Sequence, residues 1–248
     1  MMDSWFSAYF SLFEICVKVN FFLFMFVFAI CVCINFNYNA VMVGMIYLIP
    51  LVPFGLTQAN ALHFITVSFQ NLFFGVIELV IFTITVKKSD TTFDEGHIKQ
   101  LLGHVLPVTA ALWGLSFVGR SATTPMTKLE LIWIALVFLI GSLLRILAVR
   151  QIGLKAFKFD IVFRENQRLK TDQLYRWVRH PSYFAMMIVI FAYSMNTHNL
   201  IVSLLGLLSA WFGFFYRIIY EERALEVRFG EDFRRYKAKT GMWFPKSG

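Results

Sequence analysis

Two short polar stretches in the last third of the chain contain the residues best suited to chemistry. Residues 175–183 read YRWVRHPSY, and residues 217–222 read RIIYEE. Pro181 suits the first turn of a helix and disfavours a helical backbone at the residue before it, so we predict a helix that begins at Pro181. The free N–H groups at that helix start, with the side chains of Arg179 and His180, predict a site for a small anionic group such as a carboxylate or a phosphate.

The second stretch places a cation and an acid on one helix face. Arg217 and Glu221 are four residues apart, and side chains at this spacing are neighbours on a helix. The apolar segments 182–196 and 199–219 predict a helical hairpin, which brings Arg217 and Glu221 level with His180. An alternative interpretation is that these charges only anchor helix ends at a membrane interface, which explains most Arg and Glu residues in such positions.

The composition predicts that membrane-spanning helices position these stretches. The 248 residues are 58% hydrophobic and 18% aromatic, and the mean hydropathy is +0.64, which is too apolar for a soluble domain. The net charge of +8 could indicate nucleic-acid binding. The basic residues concentrate beside apolar segments, however, so we expect contact with membrane lipids and no nucleic acid. The three cysteines fall in the first apolar segment and predict free thiols, and the histidines show no metal-ligand spacing, so we expect no metal.

The hydropathy pattern predicts an all-α, polytopic membrane protein with about seven transmembrane helices. The predicted spans are roughly 12–34, 41–57, 62–86, 100–119, 130–149, 182–196 and 199–219. Basic loops at 150–180 and 222–248 predict that both loops, and therefore the active site of this integral membrane protein, face the cytoplasm. We divide the chain into transmembrane helices of generic sequence at 1–140 and a catalytic region at 141–248. The catalytic region includes the 182–219 hairpin and a C-terminal amphipathic helix, in which Gly230 is a candidate break.

Polar and small residues inside the predicted spans allow two interpretations each. Glu78 lies within FFGVIELVIF, where an acid is either functional or paired with another buried group, for instance Arg145. The side chain of Arg145 could instead extend to the inner membrane surface. Gly206, Ala210 and Gly213 place small residues along the last span. They either admit a close neighbouring helix or reflect the general frequency of glycine in membrane helices.

Taken together, the two polar stretches resemble the isoprenylcysteine carboxyl methyltransferase family. The resemblance is carried by the pattern Tyr175-x-x-x-Arg179-His180-Pro181-Ser182-Tyr183 and, after the hairpin, by Arg217-Ile218-x-x-Glu221-Glu222-x-x-Leu225-x-x-x-Phe229-Gly230-x-x-x-x-x-Tyr236. It covers roughly residues 140–245, and the chain departs from the family's pattern at Gln167, Gln173 and Ala185. Gln173 replaces a glycine, which allows backbone angles that glutamine resists.

The resemblance implies a membrane methyltransferase that uses S-adenosylmethionine, releases S-adenosylhomocysteine and methylates a lipophilic acceptor. The acceptor that it implies first is the C-terminal carboxylate of a prenylated cysteine or an analogue. The residues implied to contact the cofactor are Leu169, Lys170, Tyr175, His180, Pro181, Ser182, Tyr183, Glu221 and Glu222, and those implied in catalysis are Arg217, Glu221 and Arg179. Among them, Arg217 would bind the acceptor.

The chemistry of these residue types agrees with that reaction but leaves other acceptors open. A C-terminal carboxylate has a pKa of about 3.5 and needs no base, so an arginine that holds it with two hydrogen bonds is sufficient. A phospholipid amine or a small thiol would need a base, for which Glu221 or Glu222 is available. A sterol-reductase-like oxidoreductase that uses NADPH, and a non-catalytic membrane scaffold, are the competing interpretations.

Overall fold

The computed structural model describes residues 2–52, 60–86, 95–153 and 168–246, with side chains from Ile15 onward. These residues form nine α-helices: α1 Met2–Ile34, α2 Tyr38–Leu48, α3 Ala61–Thr85, α4 Glu95–Gln100, α5 Leu106–Ser121, α6 Lys128–Ile152, α7 Pro181–Met195, α8 Leu200–Phe229 and α9 Glu231–Lys239. A π-helical turn, Leu101–Val105, joins α4 to α5, and short 3₁₀ turns lie at Ile49–Leu51 and Gln173–Arg176. No strand occurs within the described ranges, which confirms the all-α prediction. Residues 154–167 of the predicted 150–180 loop, Gln167 among them, lie outside those ranges.

Among the described residues, five helices are long and apolar enough to cross a membrane. They are Ile15–Ile34, Ala61–Thr85, the continuous segment Glu95–Ser121, Lys128–Ile152 and Leu200–Phe229, and two shorter apolar segments are Tyr38–Leu51 and Pro181–Met195. The sequence therefore located seven apolar helical segments, of which five reach spanning length. The 15 residues of α7 rise through only about 22 Å, which is less than the roughly 30 Å of a hydrocarbon core.

The hairpin begins where the sequence predicts, but its second arm is longer than predicted. Pro181 is the first residue of α7, and the preceding His180 has a non-helical φ of −125°. The predicted span ended at residue 219, whereas α8 continues as one helix to Phe229. The prediction of a break at Gly230 is confirmed, because this residue has a φ of 51° and separates α8 from the short polar helix α9. The charged side chains of residues 217–222 therefore lie within a continuous helix, away from its ends.

The C-terminal helices are held together by close backbone contacts. α7 packs against α6 and α8, while α5 packs along α8. A Cβ at Gly206 would lie 2.7 Å from the side chain of Leu115, and one at Gly213 would lie 2.9 Å from the carbonyl oxygen of His104. Together with the fully buried Ala210, these residues confirm that the small residues of the last span admit a neighbouring helix. That neighbour belongs to the part of the chain whose sequence looked generic.

Candidate active site

The loop before α7 is bonded to the C-terminal segment. The Arg179 N–H donates to the Gly241 carbonyl at 2.8 Å, and the Tyr236 hydroxyl donates to the Tyr175 carbonyl at 2.6 Å. The Arg179 guanidinium also donates to the carbonyl of Thr240. These bonds place the loop against α9 and leave a pocket between the loop, α8 and α9.

Gln173 adopts the glycine-like conformation that the resemblance brought into question. Its φ is 57°, in the left-handed region, which costs a residue with a Cβ about 1–2 kcal/mol. The following Leu174 N–H donates to the side chain of Gln151 on α6 at 3.0 Å. The loop thus keeps this conformation without a glycine, and surrounding bonds hold it there.

The pocket beside this loop has a volume of about 540 Å³, and we call it the polar pocket because seven of its twelve lining residues are polar or charged. Its lining residues are Ile152, Arg168, Leu169, Lys170, Tyr175, Arg179, His180, Glu221, Leu225, Phe229, Phe233 and Tyr236. Burial raises the pKa of Tyr175, and the nearby Glu221 adds to the effect. Burial likewise raises the pKa of Tyr236. Both phenols therefore stay neutral at ordinary pH and act as hydrogen-bonding groups.

Glu222 is the centre of a buried ionic cluster beneath this pocket. Its Oε1 lies 2.8 Å from Arg179 Nε and 3.2 Å from His180 Nε2. Its Oε2 lies 2.7 Å from Lys237 Nζ on α9. The Glu222 side chain is only 7% exposed. One carboxylate thus connects α8, the loop before α7 and α9, which makes it a structural group in this arrangement.

Glu221 has different surroundings although it is the adjacent residue. Its side chain is 28% exposed and lines the polar pocket, with Oε2 3.8 Å from His180 Nδ1. Within the described residues this Oε2 atom is buried and has no hydrogen-bond partner. A buried carboxylate oxygen without a donor is costly, so it favours a bound group that supplies N–H or O–H donors.

A second cavity, of about 840 Å³, lies inside the helix bundle. Its apolar lining is Met42, Val43, Ile46, Phe74, Phe82, Val105, Val108, Leu112, Met186, Val189 and Ile190, and its polar lining is Tyr47, Glu78, His104, Thr109, Arg145, Tyr183 and Arg217. We call it the apolar cavity. Its chemistry is suited to a lipid chain with one polar end.

Two arginines form the polar end of the apolar cavity. Arg145 makes a bidentate pair with Glu78, at 2.7 and 2.8 Å, and also donates to the Ser182 hydroxyl. The interpretation of Glu78 as the buried partner of Arg145 is therefore confirmed. Arg217 Nε lies 3.3 Å from the Tyr183 hydroxyl, and its Nη1 donates to Gln100 Oε1 at 3.0 Å.

The predicted site residues divide between the two spaces. Leu169, Lys170, Tyr175, Arg179, His180 and Glu221 line the polar pocket, and Tyr183 and Arg217 line the apolar cavity. Pro181, Ser182 and Glu222 line neither space. Sequence reasoning did not find Gln100 and His104, which contact the α8 turn that carries Arg217. The one signal was the polarity of His104 within an apolar span, whereas Gln100 ends the polar run DEGHIKQ and gave no signal.

The polar pocket presents donors and acceptors suited to a small molecule that carries both an ammonium and a carboxylate. The orphaned Glu221 oxygen suits an ammonium or ribose hydroxyl, and Arg168 and Lys170 at the rim suit a carboxylate. Lys170 is bonded to Asp172 at 2.9 Å, and this contact lowers the pKa of the Asp172 carboxyl. In the described part of the chain, no group of three or more His, Cys, Asp or Glu side chains is placed to hold a metal ion.

Comparisons with known proteins locate the same region. Residues 133–227 match the sequence profile of the isoprenylcysteine carboxyl methyltransferase (ICMT) family. A protein-S-isoprenylcysteine O-methyltransferase of Schizosaccharomyces pombe is 35% identical over 108 residues, which are 43% of this chain and 45% of that relative. The chain thus aligns with less than half of the relative's length.

A solved structure shares the fold. The eukaryotic intramembrane Ras methyltransferase ICMT superimposes with a TM-score of 0.54 over 95% of this chain and 92% of that one, at 17% sequence identity. The likeness covers the N-terminal helices as well as the motif region. The resemblance carried by the two polar stretches is confirmed, because residues 133–227 match the profile of the isoprenylcysteine carboxyl methyltransferase family.

Proposed function

We propose that this protein is an integral membrane methyltransferase that transfers a methyl group from S-adenosylmethionine to a lipophilic acceptor. The acceptor is the C-terminal carboxylate of a prenylated cysteine or a close analogue. The family match over 133–227 and the name of the S. pombe relative support this reaction. They do not favour a phospholipid amine, a small thiol or an NADPH-dependent reduction.

One observation carries the proposal. Arg217 and Glu221 lie one helical turn apart on α8, yet Arg217 lines the apolar cavity and Glu221 lines the polar pocket. One face of α8 therefore presents the Arg217 cation to the apolar cavity, which suits a lipid, and the Glu221 carboxylate to the polar pocket, which suits a polar cofactor. A bimolecular transfer requires this kind of alignment between two different binding sites.

The chain's own groups bind and orient in this scheme. Glu221 and His180 would hold S-adenosylmethionine, whose chemistry is to supply a methyl group with S-adenosylhomocysteine as the leaving group. Arg217 would hold the acceptor carboxylate with parallel N–H donors. The carboxylate is already ionised, so no side chain has to remove a proton. His180 and Arg217 are themselves buried, and burial strengthens such charged interactions relative to water.

We further propose that all seven apolar helical segments cross or enter the membrane and that the polar pocket faces the cytoplasm. The basic residues of α9 and of the loop before α7 support this orientation by the positive-inside rule. Cysteine placed at Lys239 or at Thr123, in a chain whose three native cysteines are replaced by serine, tests it in intact cells. An impermeant maleimide should label the Thr123 position alone, and labelling at Lys239 would overturn the orientation.

The activity test is a methyl-transfer assay on the purified full chain in lipid nanodiscs. The acceptors are N-acetyl-S-farnesylcysteine and its geranylgeranyl analogue. Phosphatidylethanolamine and a small thiol are tested separately as the alternative acceptors. We expect base-labile methyl ester on the prenylcysteines, and no product when the acceptor is already a methyl ester. Methylation of only the amine or the thiol would refute the carboxylate assignment, and binding of NADPH in place of S-adenosylhomocysteine would refute the methyltransferase.

A further inference from the structure

The turn that carries Arg217 is contacted by a π-helical turn from the N-terminal half of the chain. The Leu106 N–H donates to the Leu101 carbonyl, five residues back, which defines the wider turn between α4 and α5. Such π turns inside α-helices are rare and often occur at functional sites. Here the widened turn and the residue before it lie directly against α8.

Two close backbone contacts fix the π turn on α8. His104 Nδ1 lies 3.0 Å from the Gly213 carbonyl, and since a carbonyl only accepts, this nitrogen carries the hydrogen. A Cβ on Gly103 would overlap the ring of Tyr216, so the two helices approach this closely only because residue 103 has no side chain. Gly213 and Tyr216 belong to the same α8 turn as Arg217.

The third contact reaches the Arg217 side chain itself. Gln100 Oε1 accepts from Arg217 Nη1 at 3.0 Å, and the Gln100 side chain is buried, with 6% of the residue exposed. Gln100 is neutral, so this bond orients the guanidinium without cancelling its positive charge. An arginine side chain has several rotatable bonds, and a buried acceptor that fixes one nitrogen restricts the direction of the others.

We propose that Gln100 is a positioning residue that aims the Arg217 guanidinium at the acceptor carboxylate, and that the π turn delivers Gln100 to this place. The inference rests on the proposed function, because it concerns the same carboxylate site. It assigns to α4, in the half of the chain without a recognisable motif, a direct part in choosing a carboxylate over its uncharged ester.

The proposal predicts a loss of discrimination rather than a loss of lipid binding. Gln100→Met keeps the length and apolar fit of the side chain but removes the acceptor oxygen. One hydrogen bond to a charged group is involved, so the preference for N-acetyl-S-farnesylcysteine over its methyl ester should fall about tenfold. Affinity for the ester and for S-adenosylhomocysteine should change less than about twofold. Gln100→Glu, which keeps the shape and adds a charge that neutralises Arg217, should reduce binding of the acid further.

The decisive experiment is a double-mutant cycle read by equilibrium binding of the acid and the ester to the full chain in nanodiscs. If Gln100 acts through the guanidinium, Gln100→Met should have no further effect on the acid-to-ester ratio once Arg217→Met is present. Ser209→Ala is the matched control, because Ser209 makes a 2.8 Å bond to the Pro107 carbonyl across the same helix pair and lies outside both cavities. It should leave the ratio unchanged.

The outcomes separate this inference from the proposed function. Equal weakening of acid and ester by Gln100→Met, or additive effects in the double variant, would overturn the positioning role while wild-type methyl transfer stands. If wild-type protein neither methylates nor prefers the acid, the proposed carboxylate site itself is wrong. If Gln100→Met does not fold, the acid-to-ester ratio of Gln100→Glu, alone and combined with Arg217→Met, tests the positioning role in the same way.

Discussion

Glu221 and Glu222 are adjacent carboxylates for which we expect opposite effects of the same isosteric change. The resemblance implies that both contact the cofactor, whereas we propose cofactor contact for Glu221 and, from its buried ion pairs, a structural role for Glu222. Replacement of either by glutamine removes one negative charge and almost no volume. The two variants therefore control for each other.

The expected loss at Glu222 follows from its three contacts. Hydrogen bonds to charged groups contribute about 1.5–3 kcal/mol and neutral ones about 0.5–1.5 kcal/mol, so loss of the charge costs roughly 1 kcal/mol each at Arg179 and His180. Lys237 is 46% exposed, and such a pair contributes at most about 1 kcal/mol. Glu222→Gln should thus lower the free energy of unfolding by about 3 kcal/mol. In a chain of this size that corresponds to a fall in Tm of about 6–12 °C.

Glu221→Gln should instead spare stability and weaken the cofactor. Its Oε2 has no donor among the described residues, so the change weakens chiefly the hydrogen bond with the Tyr183 hydroxyl and costs about 1 kcal/mol of stability. The affinity for S-adenosylhomocysteine should fall about tenfold, since one charge-assisted bond is weakened. Thermal unfolding in detergent and calorimetry with S-adenosylhomocysteine measure the two effects. A destabilised Glu221→Gln with normal affinity, beside a stable Glu222→Gln with lost affinity, would refute the division of roles.

Three further predictions follow from the same geometry. Gln173→Gly should raise the free energy of unfolding by up to about 1 kcal/mol, because glycine adopts the left-handed backbone conformation without strain. Gln173→Ala should not raise it. Equal denaturation midpoints for the two variants would show that the strain is not at this residue. Arg217→Lys should leave the affinity for S-adenosylhomocysteine unchanged. It should lower kcat/KM for the prenylcysteine acid at least about tenfold, since lysine lacks the planar guanidinium that can bind a carboxylate with two hydrogen bonds. An unchanged kcat/KM would argue against a guanidinium–carboxylate contact. Between about pH 7.5 and 9, kcat/KM for the acid should not change with pH. The acceptor carboxyl, with a pKa of about 3.5, is already ionised, and the raised pKa values of Tyr175 and Tyr236 keep both phenols protonated. A rise in kcat/KM near pH 8.5, about the ordinary pKa of a thiol, would indicate a thiol acceptor.

Local chemistry made several features predictable from the sequence. The helix start at Pro181 and the break at Gly230 follow from the backbone preferences of single residues. The seven apolar segments follow from hydropathy, and the shared face of Arg217 and Glu221 follows from a four-residue spacing. The pairing of Glu78 with Arg145 was predictable because a charge inside an apolar span requires a partner.

Only the tertiary structure decided which space each residue faces. Helical spacing places Arg217 and Glu221 on one side of α8, but the packing of α5 and α7 divides that side into an apolar cavity and a polar pocket. Adjacent residues in a sequence differ by about 100° around a helix, so the neighbours, and not the motif, separate Glu221 from the buried Glu222. Gln100 reaches Arg217 across 117 residues of sequence, and such a distance is set by helix packing rather than by any pattern within one helix.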